Sequence, residues 1–167
     1  MGWFTMALVD TLQLISSPRS NHTSALHSLL HSQLNTLVPR LAALTSSTTP
    51  VWWLVITQPR RPGNYFESSG ACMYAYALLK AVRLGYVQDK DGKIVHAAKR
   101  AYEYITSHFV VDNGDGTMGW TGTVKVGSLD TDGSFEVRCL DNTAHKYRAK
   151  AFFEFSTIRV FLRTSTI

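Results

Sequence analysis

Apolar residues recur at intervals of three and four along two stretches near the start of the chain, a spacing that predicts amphipathic helices. The first stretch is residues 4–15, where the apolar side chains share one broad face. The second runs through a series of leucines from Leu26 to Leu41. Pro39 stands inside this second stretch, and we expect it to kink the helix or end it early because proline removes a backbone hydrogen bond.

Two further helices are predicted in the middle of the chain. Residues 68–86 are apolar or small on nearly all sides, which is typical of a buried helix. Residues 93–109 carry a single apolar stripe and predict a helix on the surface. A buried helix followed directly by a half-exposed one is what a barrel or solenoid of paired inner and outer helices requires. The sequence therefore predicts an all-α fold.

Short extended segments and turns separate these helices. Residues 51–57, VWWLVIT, are β-branched and aromatic and predict a short strand. Residues 58–64 hold two prolines and a glycine, which predicts an irregular loop. Residues 112–116, DNGDG, predict a tight turn, and the alternation in residues 121–126 predicts a short extended segment after it.

The composition is that of a globular domain with one core: 167 residues, 45% hydrophobic and 17% charged. No apolar run reaches the roughly 18–20 residues that a membrane-spanning helix needs, so we expect no membrane partner. The first residues lack the basic region of a secretory signal, which makes a cytoplasmic location the expectation, with secretion as the alternative if a missing N-terminal half carries a signal. Cys72 and Cys139 make no disulfide framework.

The net charge of +5 would suit a nucleic-acid-binding protein, but its distribution argues against one. Residues 137–167 hold six Lys or Arg and two Asp or Glu, so +4 of the +5 lies in this segment. The rest of the chain shows no basic helix or aromatic-interleaved strand. We therefore expect no nucleic-acid partner. A nucleic-acid-binding function would require residues 137–167 to be folded and functional. Its signature would be an affinity for nucleic acid that falls steeply as the salt concentration rises.

Three patterns resemble metal sites and are incomplete. His27 and His31 stand four apart on a predicted helix, but no nearby carboxylate completes a zinc set. Residues 112–116 resemble the start of a calcium loop, yet Thr123 stands where that loop needs a bidentate Glu. Residues 130–133 have the same weakness. Solvated histidines and tight turns are the favoured interpretation, so we expect no metal and no cofactor.

Acidic residues are scarce before Asp89, where the chain has only Asp10 and Glu67. Asp10 lies among apolar neighbours, and the sequence leaves two alternatives for its side chain: it faces a cavity or it lies on the helix surface. Glu67 directly precedes the buried helix, where a carboxylate accepts hydrogen bonds from free backbone N–H groups, so capping is favoured over catalysis. The tryptophans suit either a core or a platform that stacks on sugar rings. They are Trp3, Trp52, Trp53 and Trp120.

The chain also carries a series of motifs in a fixed order. They are GWFTMALVD (2–10), QPRRPGNYFESS (58–69), MYAYALLK (73–80), VRLGY (82–86), DGT (115–117) and DGSFE (132–136). This series resembles the unsaturated rhamnogalacturonyl hydrolases, glycoside hydrolase family 105, which are related to family 88. The resemblance covers residues 2–136.

The resemblance implies a barrel of six α-helical hairpins, (α/α)6, of which this chain would be the C-terminal part with a few short strands. It implies hydration of the 4,5 double bond in unsaturated galacturonyl-rhamnose, a rhamnogalacturonan-derived disaccharide from pectin breakdown. In that reaction an Asp protonates C4, water adds at C5, and the resulting hemiketal opens without a metal. Trp3 matches the last Trp of the family motif W-x-R-x-N-G-W, and it is expected to line the sugar site.

The chain also departs from the family pattern. The catalytic Asp of the family precedes W-x-R-x-N-G-W, and no part of this chain matches that region, so we expect no catalytic residue and no turnover by this chain alone. A catalytically inactive carbohydrate-binding helical module is the alternative. Residues 1–136 are expected to form the partial barrel domain. Residues 137–167 are expected to be a divergent basic tail, which a shifted reading frame or a mis-spliced gene model would explain.

Overall fold

The computed structural model describes residues 1–15 and 21–123 of the chain. This part forms four helices and a two-stranded sheet. The elements are α1 (Gly2–Leu14), α2 (Asn21–Ala43), α3 (Ser68–Arg83), α4 (Lys93–His108), β1 (Val110–Asp112) and β2 (Met118–Trp120). Within these residues no helix is both long enough and apolar enough to cross a membrane. The DGSFE motif, residues 130–133 and the predicted tail at 137–167 lie outside the described residues.

Helices α1 and α3 lie side by side and run in the same direction. At the start of both helices the backbones approach closely, because a Cβ atom on Gly2 would lie 2.8 Å from Met73 Sδ and 3.4 Å from the Cα of Gly70. Eight residues further along α1, Asp10 contacts Lys80 of α3. Since both helices advance together between these two contacts, they are parallel.

Helices α2 and α4 form a second layer that runs the opposite way. Phe66, just before α3, packs edge-on against Tyr104 near the end of α4, so α3 and α4 are antiparallel. Asn35 in the middle of α2 donates to the carbonyl oxygen of Tyr86, and Arg100 of α4 donates to Thr45 beyond the end of α2. These contacts make α2 parallel to α4. The described part is therefore two helical hairpins, α1–α2 and α3–α4, placed side by side.

The burial of α3 and α4 confirms the distinction made from sequence. Most of α3 is buried, including its central residues from Ala71 to Ala75. Helix α4 buries one stripe that includes Ile94, Ala98 and Ile105, and its other faces are half-buried or exposed. Helix α3 ends at Arg83, before the predicted limit at 86, because Gly85 adopts a left-handed conformation with φ of 72° that stops the helix.

Of the two effects predicted for Pro39, a kink or an early end of α2, the early end is wrong, since α2 continues to Ala43. Pro39 and Asn35, the residue whose carbonyl would have accepted from position 39, are both exposed to water. The lost backbone hydrogen bond therefore leaves no buried unpaired group. Val38 and Leu41 are buried in the core on the other side of the helix and hold its last turn in place.

The predicted strand at residues 51–57 is also wrong. In the described part of the chain this segment makes one isolated bridge, between Trp53 and Phe66. The backbone N–H and C=O of Val55 are paired with the side-chain amide of Asn64, at 3.1 and 3.0 Å, and not with a neighbouring strand. Because a side chain satisfies these backbone groups, the segment forms a compact loop without a sheet.

The predicted turn after α4 is confirmed. Strands β1 and β2 pair in antiparallel fashion, with Val110 opposite Trp120. Gly114 and Gly116 in the connection both have positive φ, as a tight turn of this kind requires. Strand β2 ends at Trp120, so Thr121 to Thr123 do not belong to it, and residues 124–126 of the predicted extended segment lie outside the described residues.

Candidate functional site

Three of the motifs in the described part begin or lie at one end of the helical layers: the start of GWFTMALVD (2–10), QPRRPGNYFESS (58–69) and DGT (115–117). This end holds the first turns of α1 and α3, the loop at residues 44–66 that enters α3, and residues 109–123 that follow α4. Because α3 and α4 are antiparallel, the segment before α3 and the segment after α4 must meet there. We call this end the site end.

Glu67 is the centre of the site end, and the structure confirms that it caps α3. Its carboxylate accepts from the backbone N–H groups of Ser69 and Gly70, at 3.2 and 2.5 Å, and from the Ser69 hydroxyl at 2.7 Å. The Thr123 hydroxyl is a fourth donor, at 3.2 Å. The side chain is buried, with 7% of the residue exposed. A carboxylate in this position satisfies free N–H groups in the first turn of the helix.

Residues 67 and 68 also connect three separate segments of the chain. The N–H of Glu67 donates to the carbonyl oxygen of Trp52 in the preceding loop, at 3.1 Å. The N–H of Ser68 donates to the carbonyl oxygen of Gly122, and the Ser68 hydroxyl accepts from Trp120 Nε1 at 2.9 Å. The loop, the start of α3 and the segment after β2 are therefore held together by two adjacent residues.

Tyr74 lies nearly two turns into α3, behind the Glu67 cap. Its ring packs against Trp52, with 5.1 Å between the ring centroids. Burial raises the pKa of Tyr74 to about 12, and the negative charge of Glu67 adds to this rise in the pKa. The Tyr74 phenol is neutral at physiological pH, and its ring is part of the core that packs under the site end.

Trp3, the sugar-binding residue predicted from sequence, lies in the first turn of α1 with 70% of its surface exposed. The neighbouring Gly2 is in contact with the first turn of α3, so Trp3 belongs to the same end of the structure as Glu67. Trp52 is buried in the core, whereas Trp53 and Trp120 are half-buried. Of the four tryptophans, Trp3 is the most exposed.

The irregular loop at residues 58–64 forms the outer edge of the site end. Besides pairing with Val55, the Asn64 amide donates to the carbonyl oxygen of Gln58 at 2.7 Å, which closes the loop. Arg61 Nη1 donates to Gln58 Oε1 at 2.6 Å. Arg60 has a φ of 63°, which is uncommon for a residue with a Cβ atom, and its side chain is exposed. The loop is thus a fixed structure that displays two arginines.

Asp10, whose environment the sequence left open, takes part in a network between α1 and α3. Its Oδ1 accepts from Lys80 Nζ at 2.8 Å and from the Tyr76 hydroxyl at 3.0 Å, and Lys80 also donates to the Tyr76 oxygen. Burial lowers the pKa of Lys80, but its hydrogen bonds to Asp10 and Tyr76 outweigh burial, so the net pKa is raised. The network lies about two helical turns from the start of α1, away from the site end.

The side chains of the incomplete metal patterns make other contacts in the structure. His27 and His31 stack on one another with 6.1 Å between ring centroids, and His31 is within 3.0 Å of the Asn35 amide. Asp112 and Asp115 accept hydrogen bonds from backbone N–H groups of their own turn. Within residues 1–15 and 21–123, no three His, Cys, Asp or Glu side chains are close enough to hold a metal ion.

Sequence reasoning missed the partnership of Asp10 with Lys80, having placed Lys80 among the charges that suit the end of α3. A signal was present. Asp10 is the one charged residue of α1, and Lys80 and Arg83 are the charged residues of α3, which is otherwise buried. Two opposite charges that each interrupt an apolar helix are best explained by a pair between the helices.

Comparison with known proteins identifies the family. The model of Glycosyl Hydrolase Family 88 matches residues 1–159, so the chain belongs to this family. The match includes most of residues 137–167, for which a divergent tail remains a prediction. Protein Atu3128 of Agrobacterium fabrum and the 24.9 kDa protein in picA locus of Rhizobium radiobacter are each 30% identical over 148 residues. These residues are 88% of this chain and 59% of each relative, so the chain spans about three fifths of their length.

Solved structures give the same assignment. A family 105 glycoside hydrolase of C. acetobutylicum superposes with a TM-score of 0.65 and 34% identity, over 83% of this chain and 37% of that one. A possible family 105 member from Salmonella enterica gives 0.61 and 25%, over 81% and 32%. The resemblance found from sequence is therefore confirmed at the level of the family. The chain thus belongs to a glycoside hydrolase family, and its helical structure matches part of the fold of these enzymes.

Proposed function

We propose that this chain is part of a hydrolase that hydrates the 4,5 double bond of unsaturated galacturonyl-rhamnose released from pectin. The observation that carries the proposal is the site end. There an exposed Trp3 stands beside the capped start of α3, in a chain that belongs to a glycoside hydrolase family. An aromatic face offers a sugar ring an apolar surface that matches its C–H groups. Trp3 is the residue through which this chain contacts the substrate.

The described carboxylates at the site end are occupied by hydrogen bonds within the chain. Glu67 accepts from four donors, and Asp112 and Asp115 accept from backbone N–H groups of their own turn. A general acid must be protonated and must reach the substrate carbon. We therefore assign the proton-donating Asp to a part of the barrel that this chain does not match, and we expect no turnover by this chain alone. The protein is assigned to the cytoplasm, which cell fractionation tests.

In the proposed site, this chain binds the sugar and holds the sugar-binding side chain in place. Glu67 and Ser68 fix the start of α3 against the Trp52 loop and the segment after β2. A fixed frame keeps an aromatic platform in one orientation, which lowers the entropy lost when the sugar binds. Protonation at C4 and addition of water at C5 then proceed on a substrate that Trp3 has positioned.

Two measurements test the proposal. The first follows the ultraviolet absorbance of the double bond when the chain alone is mixed with unsaturated galacturonyl-rhamnose, and no decrease is expected. The second measures binding of the same disaccharide by calorimetry, where Trp3→Ala should weaken affinity at least tenfold and Gln13→Ala, an exposed change on the same helix, should not. Turnover by the chain alone would refute the assignment of the acid. Equal affinities for the two variants would refute the role of Trp3.

A catalytically inactive carbohydrate-binding module is the second candidate, and the exposure of Trp3 favours it as well. The two candidates differ in what happens when the rest of a family barrel is supplied. The hydrolase proposal expects hydration of the double bond once the missing acid is present. The binding-module proposal expects affinity for the disaccharide and no loss of absorbance in either case.

A further inference from the structure

The loop at residues 58–64 contains two consecutive β-turns of the same kind. In the first turn the N–H of Arg61 donates to the carbonyl oxygen of Gln58 at 3.3 Å, and in the second the N–H of Asn64 donates to the carbonyl oxygen of Arg61 at 2.9 Å. Each turn has a proline at its second position and a residue with positive φ at its third. This combination defines a type II turn, which favours glycine at the third position because glycine has no Cβ atom.

The two turns differ in the residue at this third position. The second turn has Gly63 there, with φ of 80°, whereas the first turn has Arg60, with φ of 63°. Among the described residues, Arg60 is the one residue other than glycine with a positive φ. A Cβ atom is disfavoured in this conformation, so arginine makes the first turn less stable than glycine would. Backbone strain of this kind is typical of residues whose side chains have a function.

The Arg60 side chain is exposed, and within residues 1–15 and 21–123 its guanidinium has no hydrogen-bond or ion-pair partner. Residues 44–66, the loop that enters α3, contain no Asp or Glu. The side-chain amide of Asn64 closes this loop and thereby fixes the position of Arg60 at the outer edge of the site end. A guanidinium held in this way is suited to bind an anion from outside the chain. A carboxylate matches its paired N–H donors.

We propose that Arg60 binds a carboxylate of the substrate, on a galacturonate that follows the unsaturated galacturonyl-rhamnose unit in a longer fragment. This inference rests on the proposed function, because galacturonate and rhamnose alternate in rhamnogalacturonan and a longer fragment therefore carries a second carboxylate. Trp3 stands beside the first turn of α3, whereas Arg60 lies on the loop that precedes α3. The two residues border the same end of the structure at different places, as contacts with different sugars of one oligosaccharide require.

Calorimetry on the full chain tests this proposal with two ligands, the unsaturated disaccharide and the unsaturated tetrasaccharide, which has a second galacturonate. The wild type should bind the tetrasaccharide about threefold to tenfold more tightly, as one charged hydrogen-bonded contact at the surface allows. A tetrasaccharide methyl-esterified at the second galacturonate should lose this advantage. Arg60→Gly should abolish the advantage and leave the affinity for the disaccharide unchanged. Equal affinities of the wild type for the two ligands would overturn the proposal.

Lys90→Gln is the matched control for the loss of charge. Lys90 is exposed in the connection between α3 and α4, at the opposite end of α3 from Arg60. This variant has the same net charge as Arg60→Gly and should keep the full preference for the tetrasaccharide. An equal loss of the preference in both variants would mean that net charge attracts the longer ligand, and it would overturn the assignment to Arg60.

The melting temperature separates binding from a structural role of Arg60. Because Arg60→Gly relieves the strained turn, its melting temperature should equal or exceed that of the wild type. A lower melting temperature together with weaker binding of both ligands would mean that Arg60 holds the loop in place, and it would overturn the proposal. An equal loss of affinity for both ligands without destabilisation would place Arg60 at the first disaccharide and would overturn it as well.

Trp3→Ala separates this inference from the proposed function. If Trp3→Ala binds the disaccharide as tightly as the wild type while Arg60→Gly loses the preference for the tetrasaccharide, the role of Trp3 is refuted and that of Arg60 stands. If Trp3→Ala weakens the binding of both ligands while Arg60→Gly changes neither, the proposed function stands and the inference about Arg60 is overturned. A wild-type chain that binds neither ligand would overturn both.

Discussion

Lys80 Nζ lies 2.8 Å from Asp10 Oδ1, across the contact between the two parallel helices α1 and α3. Lys80 is almost fully buried, whereas 41% of the Asp10 side chain is exposed. The Tyr76 hydroxyl bonds to both partners, so the ammonium has two acceptors in a site with little water. The pair fixes the register of α1 on α3, because sliding either helix by one turn would leave Lys80 buried and unpaired.

Removing this ammonium should destabilise the chain. Lys80→Met keeps the length of the side chain and should lower the free energy of unfolding by about 1 kcal/mol, since water at Asp10 screens part of the interaction. Urea unfolding measures this decrease in the free energy of unfolding. Lys93→Met is the matched control, because Lys93 pairs with Asp91 on the exposed surface, and it should change stability very little. Equal losses for the two variants would contradict a special role for the buried pair.

The same pair should make stability fall at alkaline pH. The pKa of Lys80 is raised above 10.5 in the folded chain, so the folded state holds this proton more tightly than the unfolded state does. The stabilisation is therefore complete below pH 10.5 and is lost as pH rises through the higher folded value. The difference in unfolding free energy between wild type and Lys80→Met should be constant from pH 7 to 9 and shrink above pH 10.5. A difference independent of pH would contradict this.

Tyr74 should contribute to alkaline destabilisation independently. Its pKa is raised from 10.0 to about 12, first by burial and then by the charge of Glu67. Because the folded state keeps the phenol protonated, stability is retained below pH 10 and declines between pH 10 and about 12. Tyr74→Phe should flatten that part of the decline, as measured by urea unfolding across this range. In a spectrophotometric titration, the phenol that titrates near pH 12 should disappear when Tyr74 is replaced. An unchanged titration curve would contradict the assignment.

Gly70 and Glu67 should be energetically coupled. A Cβ atom at Gly70 would lie 2.8 Å from Glu67 Oε2, so Gly70→Ala forces the carboxylate to shift and weakens its hydrogen bond with the Gly70 N–H. Glu67→Gln should cost about 1–2 kcal/mol, as a lost N-cap usually does. Gly70→Ala should cost less, because the displaced atom is the end of a flexible side chain and alanine favours a helix over glycine. The double variant should cost clearly less than the sum, since the cap can be lost only once. Additive costs in urea unfolding would show that the two residues act independently.

The sequence predicted the parts of the fold that depend on local periodicity and chemistry. The burial of α3, the stripe of α4 and the cap at Glu67 follow from the spacing of apolar residues and from a carboxylate at a helix start. Membership in the family followed from long motifs such as QPRRPGNYFESS, and it is confirmed. The role of Trp3 in sugar binding stays a prediction.

Other features depend on contacts between distant segments and were outside the reach of local patterns. Residues 51–57 have the composition of a strand, but Asn64 satisfies the backbone of Val55 and no neighbouring strand does so. Pro39 is tolerated because its side of α2 faces water. Asp10 and Lys80 are 70 residues apart in sequence, so they come into contact only when α1 and α3 pack together.

Adjacent tryptophans Trp52 and Trp53 should respond very differently to replacement by phenylalanine. The Trp52 side chain is fully buried and its Nε1 donates to the carbonyl oxygen of Leu41 at 2.9 Å, so Trp52→Phe removes a buried hydrogen bond and leaves a cavity. We expect a loss of about 2–4 kcal/mol in the free energy of unfolding. Trp53 is half-buried, and its buried Nε1 has no hydrogen-bond partner among residues 1–15 and 21–123.

Trp53→Phe removes this unsatisfied donor together with some packing area, and these two effects have opposite signs. It should therefore cost less than about 1 kcal/mol. Urea unfolding of the two variants, which have the same change in side-chain chemistry one residue apart, measures the contrast directly. The reverse order, with Trp53→Phe the more damaging, would mean that the Trp52–Leu41 hydrogen bond does not join the loop before α3 to the end of α2. In that case the frame of the site end would have to be held by Glu67 and Ser68 alone.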